Sequence, residues 1–161
     1  MTLKNYKPYT KSMRTTILVD RSNIWKGKPE KTLVSLKSRS SGRNNQGRIT
    51  SRHRSAGHKK KYRIIDFYRK KLNMTATVKR LEYDPYRSAN IMLVEYEDKT
   101  ISYILAPANI KVGDKVLSGS KLDINPGNAM MLSDIPAGTI VHNIEIAPGG
   151  GGKLVRSAGS S

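Results

Sequence analysis

The hydrophobic pattern divides the chain near Tyr62. Ahead of it apolar residues are scattered, and only Thr15 to Val19 (TTILV) has the make-up of a short strand. From Tyr62 onward the pattern tightens. Tyr62 to Arg69 (YRIIDFYR) is rich in β-formers and predicts a strand. Arg69, Lys70 and Lys71 then make a basic turn. Thr75 to Tyr83 predicts a second strand, alternating around Val78 and Leu81, and Asp84-Pro85 opens a turn. Ala89 to Glu97 and Thr100 to Ala106 predict a hairpin across Asp98-Lys99. Lys111 to Ser118 offers a short fifth strand after Gly113. Thr139 to Ala147 alternates at Ile140, His142, Ile144 and Ile146 and predicts a sixth, with His142 in or near the core. No stretch has the period of a three-turn amphipathic helix. Asn109 to Lys111 or Asn128 to Asp134 has room for one helical turn.

The fold class is therefore all-β. Closely spaced short strands predict a small closed or partly closed barrel. An OB-like barrel is the natural candidate, because such barrels carry oligonucleotides on one face and on their loops. The expected units are a basic extension over 1–61, the barrel over 62–127 and a further β unit over 128–161. A lone strand over Thr139 to Ala147 would leave an exposed edge, which a strand from another chain would cover.

Charge sharpens this division. The formal net charge is +18. Residues 1–80 hold 23 Lys and Arg against 3 Asp and Glu, and residues 81–161 hold 7 against 9. A basic arm on a near-neutral body points to nucleic acid rather than a membrane surface. No apolar run approaches the roughly 20 residues of a membrane span. The first residues, MTLKNYKPYTKSMRTTILVD, lack the apolar core of a secretory signal and read as mature sequence. Cysteine is absent, which removes disulfides, zinc ribbons and thiol catalysis.

The arm itself is Gly42 to Phe67, GRNNQGRITSRHRSAGHKKKYRIIDF. It has no acid before Asp66 and is interrupted by Gly42, Gly47 and Gly57. Alone, such a segment is expected to be mobile and self-repelling. Against a polyanion, Arg43, Arg48, Arg52, Arg54 and Arg63 offer bidentate forks, and Lys59, Lys60 and Lys61 offer point charges. Asn44, Asn45, Thr50, His53 and His58 add short groups suited to sugars and base edges. Arg69, Lys70, Lys71, Lys153 and Arg156 extend the candidate set. Arg80, Glu82, Tyr83, Asp84, Arg87 and Ser88 read equally as surface ion pairs or as an RNA-facing loop in which Arg87 and Ser88 bind backbone and Tyr83 stacks or packs, with Arg80 in the candidate set. Trp25, the single Trp, reads as an anchor for the arm ahead of a base-stacking platform. Gly149 to Gly152 with Lys153 lacks the spacing of a P-loop and reads as a flexible linker or a close RNA contact. The three histidines lack metal-ligand spacing, and no nucleophile, base and oxyanion set can be assembled. Neither enzyme chemistry nor a cofactor is expected.

The motifs carry a specific resemblance. GRNNQGRITSRH, then GHK and YRIIDF, are followed by RLEYDPYRSANI (Arg80 to Ile91), YILAP (Tyr103 to Pro107), PGN (Pro126 to Asn128), IPAGTIVHNIE (Ile135 to Glu145) and RSAG (Arg156 to Gly159). In this order, from about residue 24 to the end, they resemble the large-subunit ribosomal protein family L-two in its bacterial or organellar form. The resemblance implies an OB-like barrel followed by an SH3-like barrel, of which 128–161 would be the first part. It implies large-subunit rRNA and neighbouring ribosomal proteins as partners, and roles in subunit assembly, subunit association and the peptidyl-transferase region. About a hundred further residues usually follow in the family, so either the chain is truncated or a second polypeptide supplies them, and the second polypeptide is the favoured expectation. A mitochondrial setting is favoured over bacterial cytoplasm, since Lys, Asn, Ile and Tyr are plentiful. The family usually has two glycines before His58, and Ala56 replaces the first. That is tolerable if the position keeps a negative φ. The competing expectation is a free OB-type module for single-stranded nucleic acid, which needs stacking aromatics exposed on a barrel face.

Overall fold

The structure, a computed structural model, describes residues 3–161. Its centre is one antiparallel sheet of β5 (Ala76–Glu82), β6 (Ile91–Tyr96), β7 (Ile101–Leu105) and β8 (Lys115–Val116), in the order β7-β6-β5-β8. Ile91-Met-Leu-Val-Glu-Tyr96 is almost continuously apolar because both faces of β6 are covered. Met92, Val94 and Tyr96 join Ala76, Val78, Ile104, Ile110 and Val116 on one side. Ile91 and Leu93 join Ile65, Tyr103 and Leu105 on the other. Burial of each such aliphatic side chain contributes roughly 1.5–3 kcal/mol, which makes β6 the keystone of the fold.

Strand β5 explains a spacing the sequence left odd. Val78 and Leu81 are three residues apart, so a regular strand would aim them to opposite faces. The register shifts between Val78 and Arg80, and this bulge returns both to the same cluster. A bulge also bends and twists the strand, which curls the sheet into the half-barrel of an OB-like fold. The β6–β7 hairpin turns where expected: Lys99 adopts φ +62° and donates its N–H to the Tyr96 carbonyl at 2.9 Å.

The extension holds more strand than its composition suggests. β1 (Leu3–Asn5) pairs with β2 (Ile17–Val19), the latter inside the expected TTILV segment, around a single helical turn α1 (Lys11–Arg14). β3 (Val34–Leu36) pairs with β4 (Lys61–Arg63) and closes the base of the arm. The strand expected over Tyr62 to Arg69 is thus cut short. The Asp66 carboxylate accepts the N–H groups of Tyr68 and Arg69, both at 3.0 Å, and Arg69 turns to φ +50°. A side chain that captures neighbouring donors in this way competes directly with a sheet ladder.

The sixth strand does not form. Over 139–147 the backbone makes only an isolated bridge, Ile144 to Leu154, and Asn143 adopts φ +56°. Ile140 and Ile146 are 83% and 68% exposed, and His142 lies at the surface rather than in the core. Alternation alone supplies no ladder partner; here the chain curls back on itself instead. The helical turn expected within Asn128 to Asp134 is a 3₁₀ turn at Leu132–Asp134.

Candidate nucleic-acid interface

The basic arm is a shaped loop built on Asn44 and Gly42. The Asn44 Oδ1 accepts the N–H groups of Gln46 and Arg48 at 3.0 and 2.9 Å, and the Asn44 N–H donates to the Arg48 carbonyl. The Gly42 carbonyl accepts from the N–H groups of Thr50 and Ser51 and from the Thr50 hydroxyl. These bonds replace the featureless arm expected from composition with a small hairpin, bridged between Arg43 and Ile49. Arg43, Arg52, His53 and Arg54 then line one open concavity of about 410 Å³ with Ser41, Ser51 and Ser55. His53 holds φ +57°, which turns the backbone at that point. Asn45, Arg48, His58 and Lys59 stand exposed beside it. Ala56 keeps a negative φ while Gly57 takes +67°, so the replacement of glycine at 56 introduces no strain.

Two aromatic rings clamp the root of the arm. Tyr62 meets Tyr86 edge-to-face with centroids 5.3 Å apart, and Lys60 Nζ donates to the Pro85 carbonyl at 3.4 Å. Lys61 lies exposed on β4, and Arg63 donates to the Lys61 carbonyl at 2.9 Å.

The other candidate cations divide from these by their partners. Arg80 Nε donates to Glu82 at 2.6 Å, and Arg87 Nε donates to Asp84 at 2.6 Å. Glu82 and Asp84 are buried at 3% and 0% exposure, so this is an internal ionic network and not a set of surface pairs. The Tyr103 hydroxyl donates to the Glu82 carboxylate at 2.9 Å and accepts the Glu30 N–H at 2.9 Å. Burial alone would lower the Arg80 pKa; its hydrogen bonds to Glu82 and Tyr103 outweigh that and hold it above the ordinary value. Arg69 spends its fork on the Ser118 hydroxyl (3.0 Å) and the Gly127 carbonyl (3.1 Å). Burial pulls its pKa below the ordinary value, yet a guanidinium stays charged, so those two acceptors are needed where they are. Lys71 binds Asp98 and Thr100 and lies over the Tyr96 ring at 4.6 Å. Its hydrogen bond, with that of Thr100, holds the Asp98 carboxyl down at about 2. Lys70 stays exposed over Tyr68.

The C-terminal segment folds over these loops. Gly151 and Gly152 are buried, the first against the Tyr68 ring and the second against Asn143, so the second half of the glycine run is a packed crossing and not a flexible linker. The Gly152 N–H donates to the Phe67 carbonyl at 3.0 Å. Arg156 and Arg87 approach the Phe67 ring at 4.8 and 5.7 Å. The Ser88 hydroxyl accepts the Ala158 N–H at 3.1 Å, while Lys153 stays exposed. Composition could not show which cations are consumed internally. The acids at 82 and 84, at short spacing from Arg80 and Arg87, are the signal that marks them.

Residues 30–118 match the family model for the RNA-binding N-terminal domain of Ribosomal Proteins L2, and residues 125–161 match that family's C-terminal domain. The chain belongs to the Ribosomal Proteins L2 family. It is 60% identical over 162 residues to the large ribosomal subunit protein uL2 of Pelagibacter ubique, a match covering 100% of this chain and 58% of that relative. Against uL2 of Granulibacter bethesdensis it is 59% identical over 160 residues, covering 99% of this chain and 58% of the relative. The chain thus spans 58% of the length of these curated bacterial relatives. Within this family member, the motif segment Arg80 to Ile91 holds the internal ionic network, and GRNNQGRITSRH forms the open hairpin. Among the described residues no helix is long and apolar enough to cross a membrane.

Proposed function

We propose that the chain is a structural constituent of the large ribosomal subunit that binds its rRNA through the 42–61 arm. One observation carries this reading. Among the described residues the ion pairs lie at Lys71–Asp98, Lys79–Glu95, Arg80–Glu82 and Arg87–Asp84, and none involves the arm. Seven like charges held on a shaped, acid-free loop repel one another, and a polyanion relieves that repulsion. Arg43, Asn45, Arg48, Arg52, His53, Arg54, His58, Lys59, Lys60 and Lys61 make the direct contacts. Lys70, Lys153 and the solvent-facing edge of Arg156 contact adjoining phosphates. Asn44, Thr50, Arg63, Arg69, Lys71, Arg80, Arg87 and Ser88 hold the surface in shape. The units meet near 61/62 and 127/128.

The protein supplies charge and position to RNA packing, and through it supports subunit assembly, subunit association and the peptidyl-transferase region; it carries out no catalysis itself. Exposed Ile140, Ile146 and Leu154 favour cover by a further protein segment, which we assign to a second polypeptide. The mitochondrial matrix is the proposed compartment, on the weight of Lys, Asn, Ile and Tyr in the composition. A free single-strand module fits less well, since Tyr96 and Tyr103 are buried in the two cores and leave the sheet without a row of stacking rings.

Replacing Arg48, Arg52 and Arg54 together by Ala tests the arm. Circular dichroism should show the fold retained. Each lost phosphate contact flattens the log–log salt dependence of RNA affinity by roughly 0.7–0.9, about two to three in all. An unchanged slope would remove the arm from the interface.

A further inference from the structure

We propose that a second RNA site lies away from the arm: an unpaired nucleobase stacks on Trp25, with its phosphate beside Lys26. The inference rests on the RNA-binding reading and extends it to a surface that the basic arm does not form. Trp25 is the single Trp of the chain and is 50% exposed. Its main chain is nonetheless fixed. The Trp25 N–H donates to the Leu81 carbonyl at 2.8 Å, and the residue bridges Glu82 on β5.

The ring is held as well. Gly27 packs against the indole so closely that a Cβ there would stand 2.5–2.6 Å from Nε1, Cε2 and Cζ2. The Arg80 guanidinium lies 5.1 Å from the ring centroid. Arg80 is itself oriented by Glu82, which is held by Tyr103, which takes the Glu30 N–H. An anchor for the extension needs only the backbone bonds. It does not account for a half-exposed ring with Arg80 over one face and Gly27 against its Nε1–Cζ2 side; the base would stack on the face opposite Arg80.

The ring borders an open groove of about 640 Å³, within the range of small-ligand sites, walled by Ile24, Leu81 and Val112. Lys26 and Lys79 also line it; Lys79 is paired with Glu95, so Lys26 is the cation left for a phosphate. Of the acids here, Glu82 is buried under Arg80 and Glu95 pairs with Lys79, while Asp114, two residues from Val112, accepts the Lys111 N–H. A half-exposed indole beside Lys26, the one lining cation not in an ion pair among the described residues, fits a base and its phosphate better than an apolar protein side chain. Base–aromatic stacking tolerates any base, so the site reads an unpaired nucleotide without reading its sequence.

The single Trp reports on its own site. The unaltered chain is titrated with an oligouridylate of about six nucleotides, and with an abasic ribose–phosphate oligomer of equal length, while Trp25 emission is followed. The expected result is saturable quenching by oligouridylate and none by the abasic oligomer. Trp25→Ala should weaken oligouridylate binding roughly 5- to 150-fold without changing the salt slope. Trp25→Phe should restore most of the affinity. Binding of both oligomers with unchanged emission would overturn the platform and leave the arm's RNA binding standing. Binding of neither would overturn both readings. Quenching by an unrelated acidic protein, with no response to oligouridylate, would make the groove a protein-docking site and overturn the nucleobase.

Discussion

At the scale of single residues, Asp84 carries more than its place in a turn suggests. It is fully buried, yet its carboxylate has work on both oxygens. Oδ1 accepts the Tyr86 N–H at 2.9 Å and Oδ2 accepts Arg87 Nε at 2.6 Å. Arg87 is only 15% exposed, so removing Asp84 leaves a largely desolvated cation without its counter-charge. Loss of one partner from a buried pair typically costs about 3–5 kcal/mol. Asp84→Ala should therefore destabilise the fold by about that amount in urea unfolding. Lys60→Ala, which removes one long bond to the Pro85 carbonyl, should stay within about 0.5 kcal/mol. Equal effects of the two would show that the Asp84 pair is a solvated surface contact. The comparison also separates two kinds of basic residue in this chain: Arg87 is paired with a buried acid, whereas Arg48 is exposed and in no ion pair among the described residues, and is proposed to meet RNA.

At the scale of elements, the arm's hairpin depends on a backbone shape that side chains oppose. Gly42 holds φ +68°, and a Cβ there would collide with the Ser51 carbonyl oxygen and come within 3.2 Å of Arg54 Cβ. Gly47 holds φ +77° with nothing within 4 Å. Gly42→Ala adds a backbone clash to the left-handed penalty of roughly 1–2 kcal/mol, whereas Gly47→Ala incurs only the penalty. Amide hydrogen exchange should show Thr50 and Ser51, both bonded to the Gly42 carbonyl, losing protection in Gly42→Ala and much less in Gly47→Ala. Equal protection in the two variants would mean that the turn is held by something other than these bonds. This element also marks where sequence reading stops. The central strands were legible because β6 and β7 bury both faces and announce it in apolar runs. The bulge in β5 was visible only as an uneven spacing of Val78 and Leu81. The shape of the arm was not visible, because side-chain-to-backbone bonds from Asn44 leave no periodic trace. Thr139 to Ala147 failed for the converse reason: its alternation is real, but a strand exists only where a neighbour completes its ladder. The cationic surface was legible as composition, while its division into free and paired charges required the geometry of Glu82 and Asp84.

At the scale of the whole molecule, charge and core are segregated, and that segregation makes a prediction about assembly. The positive excess lies in residues 1–80, while the best-packed strands, β6 and β7, lie in the slightly acidic remainder. Salt should therefore act on the two halves differently. Screening shortens from about 10 Å at 0.1 M to about 3 Å at 1 M, which weakens contacts between the exposed arm and phosphate but leaves the apolar cores intact. Sedimentation of native particles should find the chain with large-subunit RNA at moderate salt and released, still folded, at high salt. A cover over Ile140, Ile146 and Leu154 is apolar and should respond in the opposite sense. Any second polypeptide seated there should leave the RNA together with this chain, and mass spectrometry of the released fraction should find the two in one complex. Release of this chain alone would assign the exposed apolar residues some other cover. A chain that sediments as a small free protein even at moderate salt would remove the ribosomal reading itself, because among the described residues the arm's charges meet no acid of the chain's own.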